Sequence, residues 1–364
     1  MKLSRPLINT NIKNLNNILN KIIDGERINA DEALILFQSN DILSLGETAD
    51  CIRQKKHPNN IVTFVIDRNI NYSNICVSKC KFCAFHRDKN SPEAYLLSEE
   101  ELLNKIKELK ALGGTQVLMQ GGLHPDLKLD YYINLLKTIK SNFGIHIHSF
   151  SPPEIIHFTK INNMSIRDIL IELKKAGLDT IPGGGAEILS DEIREKVSPN
   201  KCTSDEWLSV MREAHRLDMR TTATMMFGHI ELWKHRVEHL DKIRKLQDET
   251  GGFTAFIPWT FQPKNTRLLL SSVGGFEYLK TLVISRIFLD NFDNIQASWV
   301  TQGAKIAQVA LRFGANDLGS TMLEENVVKA TGVDFRISIE EMKEIIIDAH
   351  FIPKQRDCYY NIIY

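Results

Sequence analysis

Residues 98–122 read Ser-Glu-Glu-Glu-Leu-Leu-Asn-Lys-Ile-Lys-Glu-Leu-Lys-Ala-Leu-Gly-Gly-Thr-Gln-Val-Leu-Met-Gln-Gly-Gly, one complete helix–turn–strand unit. Ser98 with Glu101 makes a capping box, and Leu102, Ile106 and Leu109 follow at helical spacing. Gly113-Gly114 stops the helix, and residues 115–120 form a strand that runs into Gly121-Gly122.

The same unit recurs along the chain. A helix carrying Tyr132, Leu136 and Ile139 ends at Gly144, and a strand at 145–150 follows. Ser165 caps a helix that ends at Gly177, ahead of a strand around Thr180 and Ile181 and the run Gly183-Gly184-Gly185. Thr203 with Glu206 caps the next helix, before a strand at 221–227, a helix at 233–246 and a strand at 254–261. Upstream, residues 60–70 are β-branched and aromatic and read as a buried strand. Six such units imply parallel strands joined by right-handed crossovers. The expected fold is α/β, a TIM-type (β/α) barrel, full or partial, with its site at the C-terminal strand ends. A doubly wound open sheet is the alternative that the pattern leaves open.

Three helices, at 11–23, 30–37 and 42–53, precede the barrel and suggest an N-terminal helical extension over 1–59. The barrel core is expected over 60–325, and 326–364 as a C-terminal helical tail packed on it, with a helix capped by Ser338 and Glu341. Within 262–325, a helix at 276–289, a strand near 295–300, a helix at 303–313 and a strand-end loop at 314–321 supply either two further units or a lid.

Lys plus Arg and Asp plus Glu each number 45, which argues against nucleic acid or an anionic membrane as the main partner. The N-terminal segment lacks the apolar core of a signal peptide, and no run has the length of a membrane span. A cytoplasmic enzyme is expected.

Cys76, Cys80 and Cys83, spaced C-x₃-C-x₂-C, lie on the loop after the first strand. Three close cysteines cannot pair completely, and in a cytosolic protein such a cluster binds metal more often than it forms disulfides. Three thiolates can each hold one iron of a cubane, leaving the fourth iron open. Equally, His86 could complete a Cys₃His zinc set. Phe82 would shield either site from water. Cys51, Cys202 and Cys358 read as ordinary thiols.

Cys76-x₃-Cys80-x-Phe82-Cys83 is similar to the signature of the radical S-adenosylmethionine (SAM) enzymes. The stretches 121–126 and 181–187, with 221–229, resemble the branch that includes menaquinone-pathway enzymes and deazaflavin synthases. The stretches 67–74, 248–262, 314–319 and 353–357 resemble, within it, the dehypoxanthine futalosine cyclases. The resemblance implies a [4Fe-4S] cluster on Cys76, Cys80 and Cys83, with SAM on the fourth iron and Gly121-Gly122 holding the SAM amino group. Many relatives follow that glycine pair with an acidic residue, where this chain has Leu123. It also implies reduced flavodoxin or ferredoxin as electron donor and dehypoxanthine futalosine as substrate. A deoxyadenosyl radical would remove the ribose C4′ hydrogen, and the carbon radical would add to the benzoate ring. An aminodeoxyfutalosine synthase or a deazaflavin synthase subunit would share these motifs; a zinc-stabilised barrel that binds a small molecule is the reading from another class.

The late loss of a proton needs a base, and His229, His146 and His148 are the candidates. His146 and His148 alternate on one strand and so share a face. His229 is expected at the site mouth. Glu187 would serve ribose hydroxyls or the SAM amino group, and Thr222 and Thr224, with Trp259 and Gln262, are expected to line the cavity.

Overall fold

The computed structural model describes residues 5–363; residues 1–4 and 364 of the two expected terminal segments lie outside the described residues. Helices α1 (Arg5–Ile23), α2 (Ala30–Gln38) and α3 (Ile42–Lys56) come first. The capping box of Asn29 and Glu32 starts α2, with both reciprocal hydrogen bonds made. Arg27, just before it, reaches Asp248 at 2.6 Å and Asp290 at 2.7 Å and so ties the helical preamble to the barrel's outer helices.

Strands β1 (Ile61–Val65), β2 (Asn69–Ile70), β3 (Gln116–Met119), β4 (His146–Ser149), β5 (Thr221–Phe227), β6 (Phe253–Thr260), β7 (Asn294–Ile295), β8 (Asp317–Ser320) and β9 (Ile352–Gln355) follow. All the strand ladders are parallel. Single parallel bridges join them where strands are too short for a ladder: His148 to Thr180, Ile181 to Thr221, and Gln296 to Asp317. With β8 paired to β1, the ring closes as a barrel, and residues 180–181 fill one strand position between β4 and β5. The regions after Gln262 therefore supply the last two barrel strands, not a lid.

Three expectations need correction. The strand at 60–70 is broken, because it changes partner part-way: β1 pairs with β9, whereas β2 pairs with β3. Within 314–321, residues 317–320 form the strand β8 where a strand-end loop was expected. The C-terminal tail is not wholly helical, since β9 inserts beside β1 and Arg356 bonds Phe64 O at 2.9 Å. A four-residue strand containing Pro353 carries almost no β-propensity signal; its partner supplies the order.

Alternation along the strands divides the interior. Val62, Phe64, Val117, Met119 and Ile147 are buried in the apolar core. Their neighbours Val65, Gln116, Leu118 and His148 line a cavity inside the ring. No described helix is long and apolar enough to cross a membrane.

Candidate active site

The C-terminal strand ends converge on a cavity of about 240 Å³ that Cys76, Cys80 and Cys83 line. Phe82, Gly121, Gly122 and Glu187 line the same space, so seven of the expected site residues meet there. Turns hold the cysteine loop in place. Cys76 N donates to Arg87 O at 3.1 Å, Val77 N to Leu123 O at 3.0 Å, and Cys83 N to Cys80 O at 3.2 Å. Ser78 Oγ lies 3.2 Å from Cys80 Sγ.

The glycine pair is where the next strand presses on this loop. A Cβ at Gly122 would collide with the carbonyl oxygen of Ile75 and stand 2.9 Å from Cys76 Cβ. Gly121 N donates to Glu154 Oε1 at 3.1 Å, and Tyr72 Oη donates to the same oxygen at 2.7 Å. Ser151 N and Oγ, each at 2.7 Å, occupy the other carboxylate oxygen. Glu154 thus fastens the end of β3 to the helix Pro152–Asn162, and burial raises its pKa despite these donors.

Sequence reasoning missed Lys201. Its ammonium lies 2.5 Å from Glu187 Oε1, 5.2 Å from the centre of the Phe82 ring, and in the cysteine-lined cavity. Burial disfavours the charge, but Glu187 and Cys80 outweigh it and hold Lys201 above an ordinary lysine. Burial likewise pushes the Cys83 thiol up to about 11 and raises Cys80, so the thiolates need a cation.

The donor chemistry fits an iron–sulfur cluster better than a lone zinc ion. Among the described residues, no three His, Cys, Asp or Glu side chains converge closely enough to hold one metal ion. A Cys₃His zinc site needs that convergence, whereas a cubane spreads its thiolates over separate irons. His86 Nδ1 lies 2.9 Å from the Cys83 backbone oxygen. Asn71 Oδ1, buried without a partner in the same cavity, is an acceptor free for a ligand's N–H or O–H group.

A second cavity of about 260 Å³ fills the barrel interior, and Gln120, Gly184, Trp259, Val327 and Val328 line both. Thr222 and Thr224 line the inner one, as expected from their strand; Gln262 lines the outer one. Asn69 Oδ1 and Gln116 Oε1 are buried there without partners, which suits a ligand rich in hydroxyl groups. Arg356 closes the floor, paired to Asp317 at 2.6 and 3.0 Å, with Cys358 and Tyr360 beside it. Nothing in the local pattern marked Cys358 as a lining residue; its place follows from β9, whose pairing is remote in sequence.

The three histidines part company. His148 lines the inner cavity. His146 is half-buried at the other end of β4 and lines neither cavity. His229 also lines neither, and its side chain is fully buried 3.3 Å from Glu231, which corrects its expected place at the mouth. Phe261 packs edge-on against its ring at 6.2 Å, and burial lowers its pKa.

Residues 70–243 match the model of the radical SAM superfamily, and residues 250–363 match the CofH/MqnC C-terminal region. The cyclic dehypoxanthine futalosine synthase of Halalkalibacterium halodurans is 45% identical over 96% of this chain and 95% of its own length. The chain belongs to the radical SAM superfamily. A 5-amino-6-(D-ribitylamino)uracil–L-tyrosine 4-hydroxyphenyl transferase of Archaeoglobus fulgidus is 46% identical over 83% of this chain and 89% of its own. Two solved structures share the fold at low identity. The hydrogenase maturase HydG from Carboxydothermus hydrogenoformans superposes with a TM-score of 0.77 at 18% identity, covering 96% of this chain and 81% of that one. Methylornithine synthase (PylB) gives 0.72 at 19%, covering 92% and 97%. Radical SAM enzymes work with a [4Fe-4S] cluster and SAM on small-molecule substrates, and the three cysteines that such a cluster requires are present.

Proposed function

We propose that this chain is a dehypoxanthine futalosine cyclase of menaquinone biosynthesis. It would remove the hydrogen at ribose C4′ and close that carbon onto the benzoate ring. The supporting observation is the pair of adjoining cavities: thiols line one, the barrel interior is the other, and Gln120 and Trp259 line both. A single inner chamber suits a reaction whose two reacting carbons belong to one molecule. The 45% identity to a relative of that name over nearly the whole chain agrees.

Cys76, Cys80 and Cys83 would hold the cluster, with SAM beside Gly121, Gly122 and the Glu187–Lys201 pair. When bound, the cluster and SAM together would supply a 5′-deoxyadenosyl radical. Phe82 and Lys201 wall the thiols from water, and Asn69 and Gln116 offer acceptors for the substrate's hydroxyls. A small reduced carrier, flavodoxin or ferredoxin, would supply the electron.

The 46% identity to the Archaeoglobus fulgidus transferase supports a second reading, radical transfer between tyrosine and a ribitylaminouracil. One assay separates the two. Anaerobically reconstituted protein is given SAM and a reductant with each candidate substrate in turn. The cyclase reading expects 5′-deoxyadenosine and a product two hydrogens lighter than dehypoxanthine futalosine. Turnover only with the ribitylaminouracil and tyrosine would transfer the assignment to the deazaflavin branch, and turnover only with an enolpyruvyl benzoate to aminodeoxyfutalosine synthesis.

A further inference from the structure

A threonine hydroxyl beneath the inner cavity is held between two imidazoles. Thr180 Oγ1 lies 2.7 Å from His148 Nδ1 and 2.8 Å from His146 Nε2, with Cys358 Sγ at 3.3 Å. Thr180 is 1% exposed, so no bulk water competes for these contacts. The bridge between His148 and Thr180 sets the arrangement, and the alternation of β4 puts both histidines on the face that meets it.

We propose that His148, Thr180 and His146 form a proton relay that leads from the inner cavity to the N-terminal face of the barrel. The proposal rests on the cyclase reading, in which one substrate proton must leave a dry chamber.

A hydroxyl carries one hydrogen and two lone pairs, so three neighbours can satisfy it, and the relay takes the following one of the two mirror polarities that the tautomers of His146 and His148 allow. His148 Nδ1–H donates to Thr180 Oγ1, Thr180 Oγ1–H donates to His146 Nε2, and the Cys358 thiol donates to the remaining lone pair. His148 Nε2, which makes no hydrogen bond among the described residues, is then a bare lone pair on a residue that lines the cavity. The carboxylates that share the cavity are already engaged. Asp67 accepts from Gln116 Nε2 at 2.9 Å and from Ser320 Oγ; Glu325 accepts from the N–H groups of Val327, Val328 and Lys329.

The chemistry balances as follows. After ring closure, the attacked ring carbon carries one hydrogen, and its C–H bond breaks heterolytically towards His148 Nε2. The electron pair stays in the ring. The resulting radical anion passes one electron to a one-electron acceptor of the iron–sulfur or flavin class, which restores the aromatic sextet. As Nε2 takes the proton, Nδ1–H passes to Thr180, the Thr180 hydrogen passes to His146 Nε2, and His146 Nδ1–H leaves to solvent. Once product departs and water enters, a proton returns to His146 Nδ1, the His146 Nε2 hydrogen passes back to Thr180 and the Thr180 hydrogen to His148 Nδ1, and His148 Nε2 releases its proton to water, which restores the starting tautomers.

Burial lowers the pKa of both imidazoles, and only at His146 do carboxylates oppose it. Burial, with His146 and Arg356 adding to it, pushes His148 down to about 3, so it passes a proton on instead of keeping it. At His146, burial and Lys140 lower the pKa, while Asp179 and Asp357 oppose them and Tyr359 packs edge-on at 5.1 Å.

The test separates hydrogen abstraction from proton loss. Thr180→Val keeps the side-chain shape and removes the relay; Thr180→Ser keeps the hydroxyl. With dehypoxanthine futalosine, Thr180→Val is expected to form 5′-deoxyadenosine near the wild-type rate while cyclic product falls about 100-fold or more, the usual range for general acid–base catalysis. Thr180→Ser is expected to restore the product. An unchanged ratio of product to 5′-deoxyadenosine in Thr180→Val, or equal impairment of both variants, would overturn the relay. Should Thr180→Val not fold, the wild-type proton inventory decides: a bowed dependence of product formation on deuterium content supports several protons in flight, and a linear one contradicts it. Absence of 5′-deoxyadenosine from the wild type with this substrate would instead remove the cyclase reading.

Discussion

Lys201 Nζ and Glu187 Oε1 form a 2.5 Å ion pair in which the two side chains are 13% and 7% exposed. Removing one partner of such a pair strands a buried charge, at a cost of about 3 kcal/mol. Glu187→Gln is therefore expected to lower the urea-unfolding free energy by that order. The double variant Glu187→Gln/Lys201→Met should lose less than the sum of the singles. Additive losses would mean that the pair is not coupled.

Gly122 meets the cysteine loop so closely that a methyl group displaces the Ile75 carbonyl or the Cys76 side chain. Gly122→Ala is expected to destabilise the protein by about 1–3 kcal/mol, as overpacking does. It should also reduce iron uptake, because Cys76 moves. Thermal unfolding and iron content after reconstitution measure both, and wild-type values for the pair would refute the close approach.

Stability should fall on acidification. Burial holds His148 and His239 near about 3 and His215 near about 4, against an ordinary 6.5. Depressed folded-state values give stability that is complete above 6.5 and lost as pH falls, so the three together cost about 3 kcal/mol between pH 6.5 and 5.5. Asp67 has the opposite sign, because burial raises it to about 6 and its folded state holds the proton more tightly. It returns less than about 1 kcal/mol over the same interval, leaving a net loss of about 2 kcal/mol. Urea titrations at the two pH values check this; a flat or rising stability contradicts it.

Cys80 is the most enclosed of the three clustered thiols, whereas the His86 imidazole is hydrogen-bonded to the Cys83 carbonyl oxygen. Cys80→Ala is expected to abolish bound iron and 5′-deoxyadenosine formation, and His86→Ala to keep both. Iron and acid-labile sulfide assays on anaerobic protein report the outcome. A colourless wild type that binds zinc but no iron would end the cluster assignment.

Local signals in the sequence carried most of the barrel. The capping boxes at Ser98, Thr203 and Ser338 all form, and Gly144 and Gly177 end their helices in the left-handed region. What stayed hidden depends on contacts between distant segments. The strand expected around Thr180 and Ile181 forms only as single bridges, and the one expected near 295–300 shrinks to the two residues of β7, because a helix already starts at Trp299. Arg356 becomes a floor residue only because Asp317, on another strand, pairs with it. Lys201 acquires its place from Glu187, 14 residues before it. A Cβ at Gly183 would stand 2.7 Å from the Ala223 Cα, so close strand packing explains the first glycine of the run 183–185. At the strand end, His229 had the right position but not the right direction, since Glu231 and Phe261 enclose its ring.

The central claim is hydrogen removal from the ribose by a radical formed beside Cys76, Cys80 and Cys83. Dehypoxanthine futalosine deuterated at C4′, turned over anaerobically with SAM and a reductant, tests it by mass spectrometry of the 5′-deoxyadenosine produced. The account expects one deuterium in that nucleoside and its loss from the cyclic product. Unlabelled 5′-deoxyadenosine, or none at all, would contradict it.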